Sequence, residues 1–123
     1  MLKIAAVFMG GGLGAILRYG VTLWLHKPGN FINWGTLASN VISSLILGLV
    51  IAQLAHGDKN NIWYLLFATG LCGGFSTFST FSAENFQLIQ NEQWLALTLN
   101  IFGNVLICLA AVFAGFKLAG KIS

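Results

Sequence analysis

Residues 70–82 read Gly-Leu-Cys-Gly-Gly-Phe-Ser-Thr-Phe-Ser-Thr-Phe-Ser, with three glycines and five hydroxyl side chains inside a long apolar region. A helix that only faces lipid has no use for either, since each glycine weakens a helix by roughly 1 kcal/mol relative to alanine. The stretch therefore predicts a chain that unwinds within an apolar span and lines a small polar site with backbone and hydroxyls. Non-helical backbone at membrane depth persists only where protein or a water-filled cavity covers it. The same residues thus demand other helices around them.

Composition places the whole chain in a membrane. Of its 123 residues, 57% are hydrophobic and only 7% charged, whereas soluble domains carry about 25% charged residues. The mean hydropathy is +0.82. A formal charge of +3, thinly scattered, speaks against nucleic-acid binding and suits contact with anionic headgroups.

A spanning helix needs about 20 mostly apolar residues, and four segments qualify: about Ile4 to Leu25, Trp34 to Ala55, Ile62 to Gln90 and Trp94 to Leu118. Lys27-Pro28-Gly29-Asn30 ends the first and His56-Gly57-Asp58-Lys59-Asn60 the second, by breaker and turn chemistry. Lys121 follows the fourth. Trp24, Trp34, Trp63 and Trp94 all fall at segment ends, where aromatic belts form. Lys3 followed by apolar residues faintly resembles a signal peptide, but glycines and Arg18 interrupt the apolar core and further spans follow. It reads as a retained span. The expectation is an all-α membrane protein, residues 1–123 forming a single four-helix domain with its third helix broken mid-membrane, without internal repeat or soluble domain.

Polar residues fall on defined faces. In the first helix Gly10 and Gly14 form a GxxxG spacing, which serves close helix packing. Gly11, Gly14, Ala15, Arg18 and Thr22 share one face. A mid-span arginine costs about 2.5–3.5 kcal/mol on insertion scales. Arg18 therefore either snorkels to headgroups or stands at a pore mouth and attracts an anion; both place it toward protein or water. The second helix carries Thr36, Asn40, Ser43 and Ser44 as a polar stripe, and the fourth carries Asn100, Asn104, Cys108, Ala111 and Gly115 at steps of four, four, three and four. In the third, Phe78, Phe81 and Asn85 share one face and Thr77, Thr80 and Glu84 the next. Interhelical hydrogen bonding is the plain explanation of a single stripe, at about 0.6 kcal/mol per contact. Matched stripes on several helices shift the reading toward a pathway.

No nucleophile triad, acid/base pair or metal-ligand set can be assembled, so the chain does not read as an enzyme. Cys72 and Cys108 read as small buried residues. Glu84 is the only carboxylate inside a span, Asp58 and Glu92 lying in loops. The faces offer neutral donors, Asn amides and Ser/Thr hydroxyls. Phenylalanine rings add positive edges. Weak serial sites of this kind allow an ion to enter and leave. With Arg18, they point to a narrow pathway for a small anion.

Three pieces of the sequence resemble the CrcB/Fluc family of fluoride channels: Gly10-Gly11-Gly12-Leu13-Gly14-Ala15 with Arg18-Tyr19, Gly35-Thr36-Leu37 with Asn40, and Gly70 through Ser82 with Glu84. The resemblance implies an antiparallel, dual-topology homodimer in the bacterial cytoplasmic (inner) membrane, with two pores and a central structural sodium ion. It implies passive export of fluoride, which relieves fluoride toxicity. Phe78 and Phe81 would be ring-edge ligands, Asn40 a pore donor, and Thr80 with Ser79 part of a polar track. Thr36, Asn104 and Cys108 are weaker members of that track. Glu84 would line a vestibule, with Arg18 near the anion path, and Gly73 and Ser76 would offer backbone carbonyls to sodium.

Departures from the family pattern are Ser43, where glycine is usual and a hydroxymethyl either crowds the packing or adds a donor, and Ser76, where threonine is frequent. Asn104 and Cys108 stand where smaller or hydroxyl residues are frequent. Lys3, Lys59, Lys117 and Lys121 fall on one side and Lys27 on the other, so a positive-inside count favours termini inside and sits awkwardly with dual topology. A proton-coupled exporter of the small multidrug-resistance type shares size and span number, but its first-helix carboxylate is absent. A third class, a non-transporting membrane scaffold, would use the polar stripes to bind partner helices.

Overall fold

The computed structural model describes residues 1–54, 57, 58 and 60–122, with Lys121 and Ile122 described by their backbone alone. The expectations placed on Ala55, His56, Lys59 and the Lys121 side chain lie outside the described residues. Helix α1 runs Leu2–Leu25, α2 Trp34–Leu54, α3 Ile62–Tyr64, α4 Gly73–Phe75, α5 Phe78–Gln90 and α6 Trp94–Ile122, with a π-helical stretch, Leu65–Cys72, joining α3 to α4. Among the described residues, four helical spans are long and apolar enough to cross a membrane: Leu2–Leu25, Trp34–Leu54, Ile62–Gln90 and Trp94–Gly120. This is a multi-pass membrane protein.

Local chemistry sets the boundaries. Pro28 and Gly29, the latter at φ +85°, turn the chain after α1. The Asn33 side chain accepts the Gly35 N–H at 3.1 Å at the start of α2. Asn61 caps α3 by accepting the Trp63 N–H at 2.9 Å. After α5, the Asn91 amide donates to the Gln87 carbonyl at 2.9 Å, and Glu92 takes φ +55° to reverse the chain into α6. The four tryptophans stand exposed at these helix ends.

Helix α1 packs along the π-helical stretch and α4, and α2 packs along α6. Glycines set both distances. A Cβ on Gly14 would lie 2.7 Å from the Phe75 nitrogen and one on Gly70 2.9 Å from the Gly10 Cα. Across α2 and α6, a Cβ on Gly48 would lie 2.9 Å from the Phe116 nitrogen. Backbones this close gain dispersion contacts and leave no room for side chains between them.

The unwinding expected over Gly70–Ser82 is corrected here. Only Ser76 (φ −76°, ψ 156°) and Thr77 (φ −149°, ψ 114°) leave the helix. Gly70 and Gly74 keep helical backbone and spend their missing side chains on contact with α1. Glycine's helix penalty is an average over solvent-exposed hosts; against another backbone the gain in packing outweighs it. The helix is interrupted where an amide and a hydroxyl, not glycines, take over the backbone hydrogen bonds.

Candidate functional site

The two-residue interruption leaves backbone N–H groups without helical partners, and side chains take up those of Thr77 and Thr80. Cys72 closes the π-helical stretch, and its carbonyl accepts from the Ser76 N–H at 3.0 Å and from the Ser76 and Ser43 hydroxyls, each at 2.9 Å. Thr77 caps α5: its Oγ1 accepts the Thr80 N–H at 3.2 Å. The same oxygen lies 3.0 Å from Thr80 Oγ1 and 3.3 Å from Ser79 Oγ. The Thr77 N–H donates to Asn40 Oδ1 at 2.9 Å. Asn40 of α2 thus stands in for the helical carbonyl that the break removed.

Ser43 is buried at the α2 face of this junction. Its hydroxymethyl does not crowd the helix; it adds a donor. Ser43→Ala is expected to destabilise the protein by about 1 kcal/mol, the usual net worth of one hydrogen bond. Thermal unfolding in detergent checks this, and an unchanged midpoint would show that the bond adds no stability.

Beside the break lies a groove of about 280 Å³ lined by Asn40, Ser44, Ser76, Thr77, Phe78, Phe81, Asn104, Val105 and Cys108. Helix α5 supplies the two phenylalanines, their ring centroids 5.7 Å apart and planes tilted by 49°. Phe81 is 9% exposed, while Phe78 is 79% exposed on the single chain. Helices α2 and α6 supply the amides: Asn40 Nδ2 donates to Asn104 Oδ1 at 3.3 Å. The groove therefore combines amide donors, hydroxyls and ring edges without a formal charge among its lining residues. Such a surface favours an anion weakly and holds no cation to trap it.

The other candidates fall elsewhere. Thr36 donates to Glu84 Oε1 at 2.5 Å. Glu84 lines a separate cavity of about 280 Å³ under the turn between α1 and α2. Arg18 is half-buried on the α1 face that turns toward protein, together with Gly11, Gly14, Ala15 and Thr22, but it does not line the groove. Ser79 and Thr80 sit exposed around the α5 cap, Ser76 lines the groove, and Gly73 is exposed one turn before the break. Ser44 and Thr77 line the groove without having been singled out as site residues. Thr77 was legible as the hydroxyl three residues ahead of Thr80, the spacing of a helix cap, but a cap is unexpected inside an apolar span.

A family model described as CrcB-like protein, Camphor Resistance (CrcB), matches residues 5–116. The chain belongs to the CrcB family. It is 47% identical over 122 residues to a protein of Thermococcus kodakarensis named fluoride-specific ion channel FluC, covering 98% of each chain. It is 44% identical to the FluC of Gloeothece citriformis, over 98% of this chain and 99% of that one. With Bacillus subtilis FluC 2 the identity is 40%, over 94% and 89%. In this CrcB chain the matched region takes in the break, the groove and the whole of the glycine-mediated contact between α1 and α4.

Proposed function

We propose that this protein is a fluoride-selective ion channel that lets fluoride leave the cell passively. One observation carries the reading: at the break in the third span, Asn40, Phe81, Phe78 and Asn104 gather around one groove that has donors and ring edges but no charge. Fluoride is small and strongly hydrated, so a pore must replace its water with several donors at once. Amide N–H groups, hydroxyls and ring edges do so without binding it too tightly to release. The naming of relatives as fluoride-specific channels supports the same reading. A multidrug-resistance type exporter finds no such support.

The groove lies on the surface of the single chain, and the Phe78 ring is almost uncovered. A second copy, antiparallel to the first, would cover that ring and complete the wall of the path. Glu84, with Thr36, and Arg18 would form approaches to it, and Ser79, Thr80 and Cys108 the polar track along it.

The carbonyls of Gly73 and Ser76 fit a structural sodium ion between the two copies. In a continuous helix the Gly73 carbonyl would accept the Thr77 N–H and the Ser76 carbonyl the Thr80 N–H. Those N–H groups donate instead to Asn40 Oδ1 and Thr77 Oγ1. The two carbonyls are thereby released from the helix, and unwound carbonyls are the groups that coordinate sodium in membrane proteins. The ion would supply a fixed positive charge that ties the two breaks together.

The test is efflux from proteoliposomes loaded with fluoride or chloride, with and without sodium. Fluoride is expected to leave at least a hundredfold faster than chloride, and removal of sodium to slow it. Equal rates for the two halides would overturn the channel assignment. Fluoride efflux indifferent to sodium would overturn the ion's role alone.

A further inference from the structure

Asn100 and Asn85 lie outside the groove, yet they end a chain of amide hydrogen bonds that begins inside it. Asn40 Nδ2 donates to Asn104 Oδ1 at 3.3 Å, Asn104 Nδ2 to Asn100 Oδ1 at 3.1 Å, and Asn100 Nδ2 to Asn85 Oδ1 at 2.8 Å. Every link runs in the same sense, from α2 through α6 to α5. Asn104, Asn100 and Asn85 are 6%, 3% and 8% exposed. An amide in such a place must satisfy its groups within the protein.

The sense of the chain is fixed at two points where the backbone offers no choice. The Thr77 N–H can only donate, so it requires Asn40 to present Oδ1. The Asn100 backbone carbonyl can only accept, and Asn104 Nδ2 donates to it at 3.2 Å. If Asn40 alone turned over, its Nδ2 would face the Thr77 N–H and its Oδ1 would face Asn104 Oδ1. Both contacts would be repulsive. The observed sense gives Asn40 one N–H for Asn104 and leaves the other for the groove. An anion there needs that N–H; an amide oxygen in its place would repel it.

We propose that Asn100, with Asn85 behind it, is a positioning residue for fluoride permeation: the Thr77 N–H sets which way the Asn40 amide faces, and the Asn100 side chain holds Asn104 Oδ1 at the place where it fixes the aim of the Asn40 N–H toward the ion. This inference rests on the groove being the fluoride path. Asn100 itself never touches the ion. Its influence reaches the groove only along the relay.

Fluoride efflux from proteoliposomes is measured for Asn40→Ala, Asn100→Leu, the double variant and Asn85→Leu. Leucine shares the branched shape of asparagine but neither donates nor accepts. Asn40→Ala is expected to slow efflux by more than tenfold, Asn100→Leu by about tenfold and Asn85→Leu by about threefold. The double variant is expected to be no slower than Asn40→Ala alone, because residues acting through one contact do not add. The Asn40 side-chain amide resonance is expected to shift with added fluoride in the parent protein and not in Asn100→Leu. Unchanged efflux in Asn40→Ala would overturn the groove as the path, and the relay with it. If Asn40→Ala is impaired, multiplied losses in the double variant would overturn the relay alone. So would parent-like efflux in both Asn100→Leu and Asn85→Leu. Asn85→Leu keeps the test decisive should Asn100→Leu fail to fold.

Discussion

Phe81→Ile is expected to slow fluoride efflux from proteoliposomes by on the order of tenfold, equivalent to about 1.4 kcal/mol at the barrier, while the protein elutes as before. Phe81 lies on the wall of the groove and is 9% exposed. Isoleucine keeps the site apolar and roughly filled, so the core tolerates it with a modest loss of stability. What disappears is the ring edge, whose C–H groups carry the positive side of the aromatic quadrupole. Aliphatic C–H groups carry far less charge, so an anion passing the break loses one of its substitutes for water. Efflux equal to that of the parent protein would show that Phe81 packs the groove without serving the ion. Phe78 is the natural comparison, since its ring is 79% exposed on the single chain and contributes little to packing within it.

Gly14→Val is expected to do more damage, abolishing efflux and lowering the yield of folded protein. A Cβ there would lie 2.7 Å from the Phe75 nitrogen and 3.0 Å from the Gly74 carbonyl carbon. Both obstacles are backbone, so no side chain can swing aside, and the two helices must separate. Overpacking costs roughly 1–3 kcal/mol and occasionally more; a clash with backbone belongs at the upper end. The consequence reaches the site because α4 carries the chain into the break at Ser76–Thr77. Gly12→Ala is the control: nothing lies within 4 Å of a Cβ at Gly12, and alanine is the better helix former by about 1 kcal/mol. Thermal unfolding of the two variants in detergent separates the cases. If Gly14→Val unfolds with the parent, the close contact of α1 with α4 is not what holds the span.

These two positions also mark what a reading of residues can and cannot reach. The four spans were legible because a bilayer imposes a length and an apolar composition that few other environments require. Trp24, Trp34, Trp63 and Trp94 marked their ends independently. The polar faces of α2 and α6 were legible from helical periodicity, and the structure turns Asn40, Ser43, Asn100 and Asn104 inward as that periodicity implies. The extent of the break was not legible. Gly70, Gly73 and Gly74 look like unwinding signals, because glycine's missing side chain weakens a helix and permits close packing equally well. Only the position of Gly10, Gly11 and Gly14 opposite Gly70 and Gly74 decides that packing is the property used there, while a Cβ on Gly73 would meet nothing within 4 Å.

The sequence alone determined that this chain crosses a membrane four times, where its polar residues stand on each helix, and that the third span carries the groups for a polar site. Those properties follow from local composition and from the 3.6-residue turn. The tertiary structure alone decided which atoms meet: Asn40 with Asn104 across 64 residues of sequence, Ser43 with the Cys72 carbonyl across 29, and Thr36 with Glu84 across 48. It also decided that Arg18 and Glu84 stand apart from the groove that holds Phe81. Helical periodicity sets the direction of a side chain relative to its own axis. The partner it meets depends on how the helices cross, which is set by glycine contacts between elements far apart in the chain.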